Sequence, residues 1–383
     1  MFIAFFEADI PDRCGAFYSD LCLARELRSR GHQVILISCA PPKKNFAGGE
    51  YEGFRWKPYI SSGRELDQTH LWVSPHYPHG NIVRRLNQTY RRPILFTLHF
   101  AGAANMFNVP FSVTWPEMFW YVNKFIPTAL LNNTFPGFVK RHELCYPFID
   151  KAPILLDEPG THEYITLVNA NVIKGLVQFL KIATKMPTHK FLAIRSFYYP
   201  PTDPNLFVPP NITWIDFTRD VKSIYARTRV MLVLSGSESF CITAAESMIN
   251  GIPVIYCSPT GSNYDGNIVG STEGITEWIE PVGIGLSRTD TDAWVSKLLE
   301  LDDPDVYSSI ADASRIHATS VFDTASSGAE RALSFANSNP VRVNSFSGIQ
   351  HEPRAPPVSV PVVPPRPSQP AVWKNGRLTF GKR

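Results

Sequence analysis

The sequence predicts an α/β protein of two Rossmann-like lobes followed by a proline-rich tail. Three observations predict it. Residues 1–39 read strand, loop, helix, strand. A second series of short apolar strands alternates with helical segments over residues 164–257. From Pro340 the composition turns abruptly to proline, with no core-forming pattern. Strands separated by helices build a parallel sheet with helices outside it.

The elements follow in order. Phe2 to Glu7 is an apolar first strand. The stretch MFIAFFEADIPDR has no basic leader region, and Glu7 and Asp9 follow its apolar run at once, so it does not read as a signal peptide. A turn-rich loop spans Ala8 to Gly15. Over residues 16–30, Phe17, Leu21, Ala24 and Leu27 share one helical stripe, and Gly31 ends the helix. Gln33 to Ser38 (QVILIS) is near-continuous apolar, the pattern of a strand covered on both faces. Apolar runs at Leu71–Val73, Ile94–Leu98 and Ala129–Leu131 complete a first lobe, residues 1–150. Phe148–Gly160, with Pro153 and Pro159, is the expected linker.

The second lobe, residues 151–325, has strands at Tyr164–Val168, Lys190–Ile194, Thr213–Asp216, Val230–Leu234 and Pro253–Tyr256. Helices are expected near 175–186, 219–227 and 240–250 from their apolar spacing. Residues 291–301 and 304–335 are helical in pattern, and 326–339 is assigned as a C-terminal helix. Residues 340–383 form a proline-rich tail, expected to be disordered or extended. Its last stretch, WKNGRLTFGKR, is either a docking peptide for a protein partner or an uninvolved solubilising end.

Composition narrows the class. A chain of 383 residues with 44% hydrophobic residues is long and apolar enough for two packed cores, so disorder throughout is excluded. No window approaches the roughly 18 uninterrupted apolar residues of a spanning helix. Six scattered cysteines without a CxxC pair are expected to be reduced thiols in a cytoplasmic protein. Asn-x-Thr triplets at Asn87, Asn132 and Asn211 are then chance matches. The net charge of +3 hides an asymmetry: the tail holds seven Lys or Arg against Glu352, a net +6, which leaves −3 on the rest. The body is thus no obvious polyanion binder.

The most informative stretch is VMLVLSGSESFCITAAESMINGIPVIYCSPTG, residues 230–261. A buried strand ends at Leu234, a small-residue loop follows, Glu238 precedes a helix and Glu246 lies about two turns into it. A helix N-terminus at the carboxyl end of a parallel strand is where phosphates and ligands settle in open α/β sheets. On spacing alone, the reading favoured is structural, with Glu238 an N-terminal capping charge and Glu246 a solvated helix residue. The context favours a site. Ala244, Ala245 and Met248 place Glu246 on a helix that packs on the sheet, where a carboxylate needs a partner.

This stretch, ESFCITAAESMINGIPVI, resembles the E-x7-E signature of retaining glycosyltransferases of family 4. The Gly-Ile-Pro-Val that follows, LARELRSRGHQVILIS near the N-terminus, and VNANVIKG with FLKIATKMP and KFLAI extend the resemblance over residues 1–335. It implies the GT-B fold: two Rossmann-like domains facing a cleft, the donor bound mainly by the second. It implies roles as well. Glu238 would bind hydroxyls of the donor sugar, helped by the N–H groups of Phe240, Cys241 and Ile242. Glu246 would bind the ribose. Lys174 would meet the diphosphate, Gly15 would let the backbone approach it, and His99 would face the sugar. Catalysis would rest on Glu238, His99 and Lys174, with no cofactor and no metal. The resemblance implies retention through front-face departure and attack.

Three departures stand out. Asn169 occupies the place of an Arg five residues before the Lys, and Arg195 is a candidate for the second positive charge. Cys14 precedes Gly15 where two glycines are usual. Cys241 stands where a Gly is frequent. Other signals read as structural. Asp290-Thr-Asp292 opens a helix and reads as a cap. His76 and His79 lack a Cys neighbour for zinc, and lone histidines such as His142 and His189 read as surface or satisfied groups. Trp115, Phe119, Trp120 and Tyr121 read as core, with an acceptor or membrane surface as the alternative. Arg84, Arg85, Arg91 and Arg92 read as a solvated face, with an anionic acceptor as the alternative.

Two functions emerge. One is a nucleotide-sugar-dependent glycosyltransferase acting on a glycan or on a modified base in nucleic acid. The other is a non-catalytic nucleotide- or sugar-binding or assembly protein working through the proline-rich tail, for which Asn169 in place of Arg speaks.

Overall fold

The computed structural model describes residues 1–8, 10, 14–40, 48–75, 79–99, 116–124, 126, 142–158, 160–196, 207–259 and 272–341, with the backbone of 372–374 and 377–379. The expected strand at Ala129–Leu131, Trp115, His76 and most of the proline-rich tail lie outside these residues. In the tail, Val372–Lys374 and Arg377–Thr379 pair as an antiparallel ladder, a unit separate from residues 1–343.

The first lobe comprises β1 (Phe2–Glu7), α1 (Gly15–Ser29), β2 (Gln33–Ser38), β3 (Gly49–Tyr51), β4 (Phe54–Pro58), α2 (Gly63–Leu66), β5 (Leu71–Pro75), α3 (Gly80–Tyr90), β6 (Ile94–Leu98), β7 (Glu117–Tyr121) and β8 (His142–Leu144). They form one sheet in the order β3-β4-β2-β1-β5-β6-β7-β8. Only the β3–β4 hairpin, which the sequence pattern did not announce, is antiparallel. Strand β1 shows why the strands read as continuous apolar runs. Ile3 and Phe5 pack with Leu21 and Leu27 of α1, whereas Ala4 and Phe6 pack with Val83 of α3 on the other face.

The second lobe comprises β9 (Tyr164–Ala170), α4 (Leu176–Lys185), β10 (Lys190–Arg195), β11 (Ile212–Ile215), α5 (Val221–Tyr225), β12 (Thr228–Val233), α6 (Ile242–Ile249), β13 (Val254–Cys257), α7 (Glu273–Ile279), β14 (Ile284–Leu286) and α8 (Thr291–Glu300). Its sheet runs β11-β10-β9-β12-β13-β14, parallel throughout. The chain builds outwards from β9 to β11, then restarts on the opposite side at β12. The switch point therefore lies between β9 and β12, and the loops after these two strands open a crevice at their carboxyl ends.

The last two helices are α9 (Pro304–Ser326) and α10 (Gly328–Ser338). The helical pattern over 304–335 is two helices that meet at Ser327, the second of them at the C-terminal helix assigned to 326–339. Helix α9 packs Ala318, Val321 and Phe322 in one cluster with Met248 and Ile249 of α6. Helix α10 crosses back and buries Ala329, Ala332 and Ala336 in the first lobe's core, beside Leu21 and Leu27. Gly328 makes this crossing possible, because a Cβ there would lie 2.4 Å from the Phe148 ring and 2.9 Å from Cys145 Sγ.

The arginine run is solvated only in part: Arg85 and Arg91 are exposed, whereas Arg84 and Arg92 are buried. Arg84 is 1% exposed. Its Nε and Nη2 donate to Glu117 at 3.2 and 2.8 Å, and its guanidinium lies over the Phe96 ring. Arg92 is also buried, donating to the Leu66 and Asp67 carbonyls. The carbon-rich stems and paired heads suit the gap between α3 and the sheet, which a count of charges does not reveal. Phe119 and Trp120 are core, as expected. Asp290 caps α8, accepting from Ala293 N at 3.0 Å. Asn87 and Asn211 both spend their amides inside the fold, Asn211 on the Ala183, Met186 and His189 carbonyls at the C-terminal end of α4 and just beyond it. All six cysteines are free. No helix of the described residues is long and apolar enough to cross a membrane.

Candidate functional site

The carboxyl ends of the two sheets meet. Gly15, which opens α1 after β1, sits so close to Ile242, which opens α6 after β12, that an added Cβ would lie 3.3 Å from Ile242 Cδ1. Two helix N-termini thus converge here, each with first-turn N–H groups lacking intrahelical partners. Further contacts tie the lobes: Asn123 Nδ2 donates to Ser239 O at 2.7 Å, and Arg219 Nη1 to Glu52 Oε1 at 3.3 Å.

At the switch point the loop after β9 carries Lys174 and the loop after β12 carries Glu238. Lys174 Nζ pairs with Glu238 Oε1, and Ser235 Oγ donates to the same oxygen at 2.6 Å. Glu238 Oε2 accepts no hydrogen bond among the described residues. Residues 64 positions apart meet because β9 and β12 are neighbours. Gly175 sets the fit. Its φ is +86°, and a Cβ there would lie 2.3 Å from Leu234 Cβ and 2.4 Å from Leu234 O. The Lys174–Gly175 corner therefore presses directly on the end of β12. Gly175→Ala is expected to lower stability by about 2 kcal/mol or more, combining left-handed strain with overpacking. An unchanged melting temperature would show that the corner relaxes freely.

Asn169 has φ +60°. Asn is one of the few side chains at home in that region, which gives the departure at this position a conformational reason. Its carbonyl accepts from Asn171 Nδ2 at 2.9 Å, and Asn171 Oδ1 accepts from Lys174 N at 3.0 Å, so the turn is tied to the lysine. Arg195 is not brought to this group. It ends β10, pairs with Asp216 at 3.1 Å and lies over the Trp214 ring, on the β11 side and away from β12.

The segment after Glu238 is pinned. Phe240 is buried, stacks on Trp278 with 4.7 Å between centroids, and its carbonyl accepts from Trp278 Nε1 at 2.7 Å. Cys241 takes φ +66° as the residue before α6, a conformation that favours glycine. Burial and the nearby Glu238 push its thiol well above the usual range, so it is no ready nucleophile.

Glu246 is 7% exposed and thus not a solvated helix residue. Tyr225 Oη donates to its Oε2 at 2.5 Å. Burial raises the carboxyl to about 7, and the Tyr225 bond opposes that rise. His99 directly follows β6 in the first lobe, beside a small cavity lined by Asp20, Thr97, Trp120 and Tyr146. Its buried Nε2 has no hydrogen-bond partner among the described residues and lies 3.8 Å from Asp20 Oδ1. Asp20 accepts instead from Thr97 Oγ1 at 3.2 Å. Among the described residues no group of three or more His, Cys, Asp or Glu is placed to hold a metal ion.

The sequence reading missed Tyr225, Ser235, Gly175 and Asp20. Gly175, adjoining the lysine, was findable; Tyr225 was not, since its partner is 21 residues away on another helix.

Comparison with solved structures settles the architecture. The chain is similar to sucrose-phosphate synthase from Thermosynechococcus elongatus, at 13% identity over 88% of this chain and 99% of that one, with a TM-score of 0.67. The fold is GT-B. Anabaena HepE in complex with UDP-glucose is similar at 14% identity, over 87% of this chain and 99% of that one, with a TM-score of 0.66. A glycosyltransferase from Rickettsia africae is similar at 14% identity, over 88% and 98%, with a TM-score of 0.61. Residues 204–272, which include Glu238 and Glu246, match the family described as Glycosyl transferases group 1. Lys174, His99 and Gly15 lie outside the matched stretch. No match was found among curated proteins.

Proposed function

We propose that the protein transfers a sugar from a nucleotide-sugar donor to an acceptor hydroxyl, with retention of configuration. The observation that carries the reading is the Lys174–Glu238 pair at the switch point, with Glu246 buried in the helix that starts there. The match of residues 204–272 and the GT-B fold support it.

Each part has chemical work. Lys174 and the converging helix N-termini oppose the negative charge that gathers on a departing diphosphate. Glu238 Oε2 accepts a sugar hydroxyl while Lys174 and Ser235 hold Oε1. Glu246 accepts from ribose hydroxyls, bonds assisted by its charge. His99 faces the sugar from the first lobe, and the leaving phosphate helps to deprotonate the acceptor. Arg84 and Arg92 are spent inside the fold, which leaves only Arg85 and Arg91 of the run exposed, so a glycan is the better-supported acceptor class.

The test is a panel of nucleotide sugars in a thermal-shift assay, followed by transfer or hydrolysis of the stabilising donor. A donor at about 100 times its dissociation constant adds roughly 2.7 kcal/mol of stability. Binding without turnover toward any glycan or water would favour a non-catalytic binding protein. Transfer is expected to persist in EDTA, since Lys174 and backbone N–H groups meet the diphosphate. Complete loss, reversed by manganese or magnesium, would contradict this.

A further inference from the structure

Tyr225 ends α5, 2% exposed, with its ring in the cluster that also holds Met231 and Phe240. Its hydroxyl donates to Glu246 Oε2 at 2.5 Å. Among the described residues the carboxylate accepts no other hydrogen bond, so Oε1 is left for a ligand. The helix carrying Tyr225 is itself anchored: Asp220 Oδ1 caps it by accepting from Ser223 N at 3.2 Å.

We propose that Tyr225 is a positioning residue of the nucleotide site, holding one oxygen of Glu246 so that the other accepts the ribose hydroxyls in charged form. The inference rests on the nucleotide reading of Glu246 given above. Two effects follow from one bond. A tethered carboxylate loses less rotamer freedom when the nucleotide arrives. A hydrogen bond to the charged form also favours ionisation where burial disfavours it. The groups facing Glu246 are Tyr225 of α5, Tyr18 of α1 and Cys241 at the start of α6. None is a cation, so the Tyr225 hydroxyl is what favours the carboxylate among them.

The experiment measures affinity for UDP, GDP and ADP by calorimetry between about pH 6 and pH 9. It uses the full chain, Tyr225→Phe, Glu246→Gln and the double variant. Tyr225→Phe is expected to bind about tenfold more weakly at neutral pH. The midpoint of its rise in affinity with pH should move upward, so that alkaline pH restores much of the loss. In the Glu246→Gln background the same change should move no midpoint. A packing role alone would lower the melting temperature and leave the midpoint in place. If Tyr225→Phe does not fold, a fluorinated tyrosine placed at 225, a stronger donor, should move the midpoint downward. Wild-type affinity and midpoint in Tyr225→Phe, with Glu246→Gln weakened, would overturn the positioning role and leave the nucleotide reading standing. Wild-type binding by Glu246→Gln, or no binding of any of the three nucleotides, would overturn that reading and the inference with it.

Discussion

Glu238→Gln is expected to lower kcat about 10²–10³-fold while affinity for the free nucleoside diphosphate stays close to that of the unmodified protein. Lys174 and Ser235 both engage Oε1, which fixes the carboxylate in the loop after β12. A fixed carboxylate against a sugar hydroxyl holds the anomeric carbon in line with the leaving diphosphate. It also adds favourable charge as the ring gains oxocarbenium character. Such contacts strengthen towards the transition state and so act on kcat. Glutamine keeps the shape and one acceptor but loses the charge, and it also frees Lys174 from its pair. Kinetics at saturating donor and calorimetry with the diphosphate, on the same variant, decide the matter. Collapse of nucleotide binding with kcat intact would assign Glu238 to the nucleotide instead of the sugar.

Glu246→Ala is expected to weaken nucleotide affinity by about 1.5–3 kcal/mol, the range for hydrogen bonds to a charged group. The charge itself depends on pH. Burial holds the carboxyl at about 7, above the 4.5 of a glutamate in an open chain. The protonated group's contribution to folding is therefore present in full below about 4.5 and is lost as pH rises through about 7. The melting temperature of the unmodified protein, taken relative to the non-titrating Glu246→Gln, should fall across that window. Nucleotide affinity should move the other way, because ribose hydroxyls donate best to the ionised carboxylate. Parallel profiles for the two proteins would remove Glu246 as the titrating group.

The parts of the fold that were readable in the sequence are those written in local pattern. The stripe Phe17, Leu21, Ala24, Leu27 marked α1, and QVILIS marked β2, because a helix face and a doubly covered strand each impose a period on neighbouring residues. The β3–β4 hairpin was not readable, since its strands of three and five residues carry too few positions to show a period. Arg84 was misleading for a related reason. Its charge is local, whereas its pairing with Glu117 depends on β7 lying beside β6 and under α3.

The sequence by itself determined that this is a two-lobed α/β chain, that a loop and helix with Glu238 and Glu246 follow a buried strand, and that the chain changes character at Pro340. Those are properties of short windows, in which spacing along the chain translates directly into position. Only the tertiary structure decided which side chains meet. The reversal of strand order between β9 and β12 put Lys174 against Glu238, and Gly175 let the corner close on Leu234. Burial under α5 turned Glu246 from a helix-surface carboxylate into one tethered to Tyr225, with its carboxyl raised to about 7. Arg195, a reasonable partner along the chain, was instead carried to the far side of β10. The physical reason is the same in each case. Ion pairs, desolvation and steric contact act over a few ångströms in space, and a parallel sheet with a switch point brings together residues that sequence distance keeps apart.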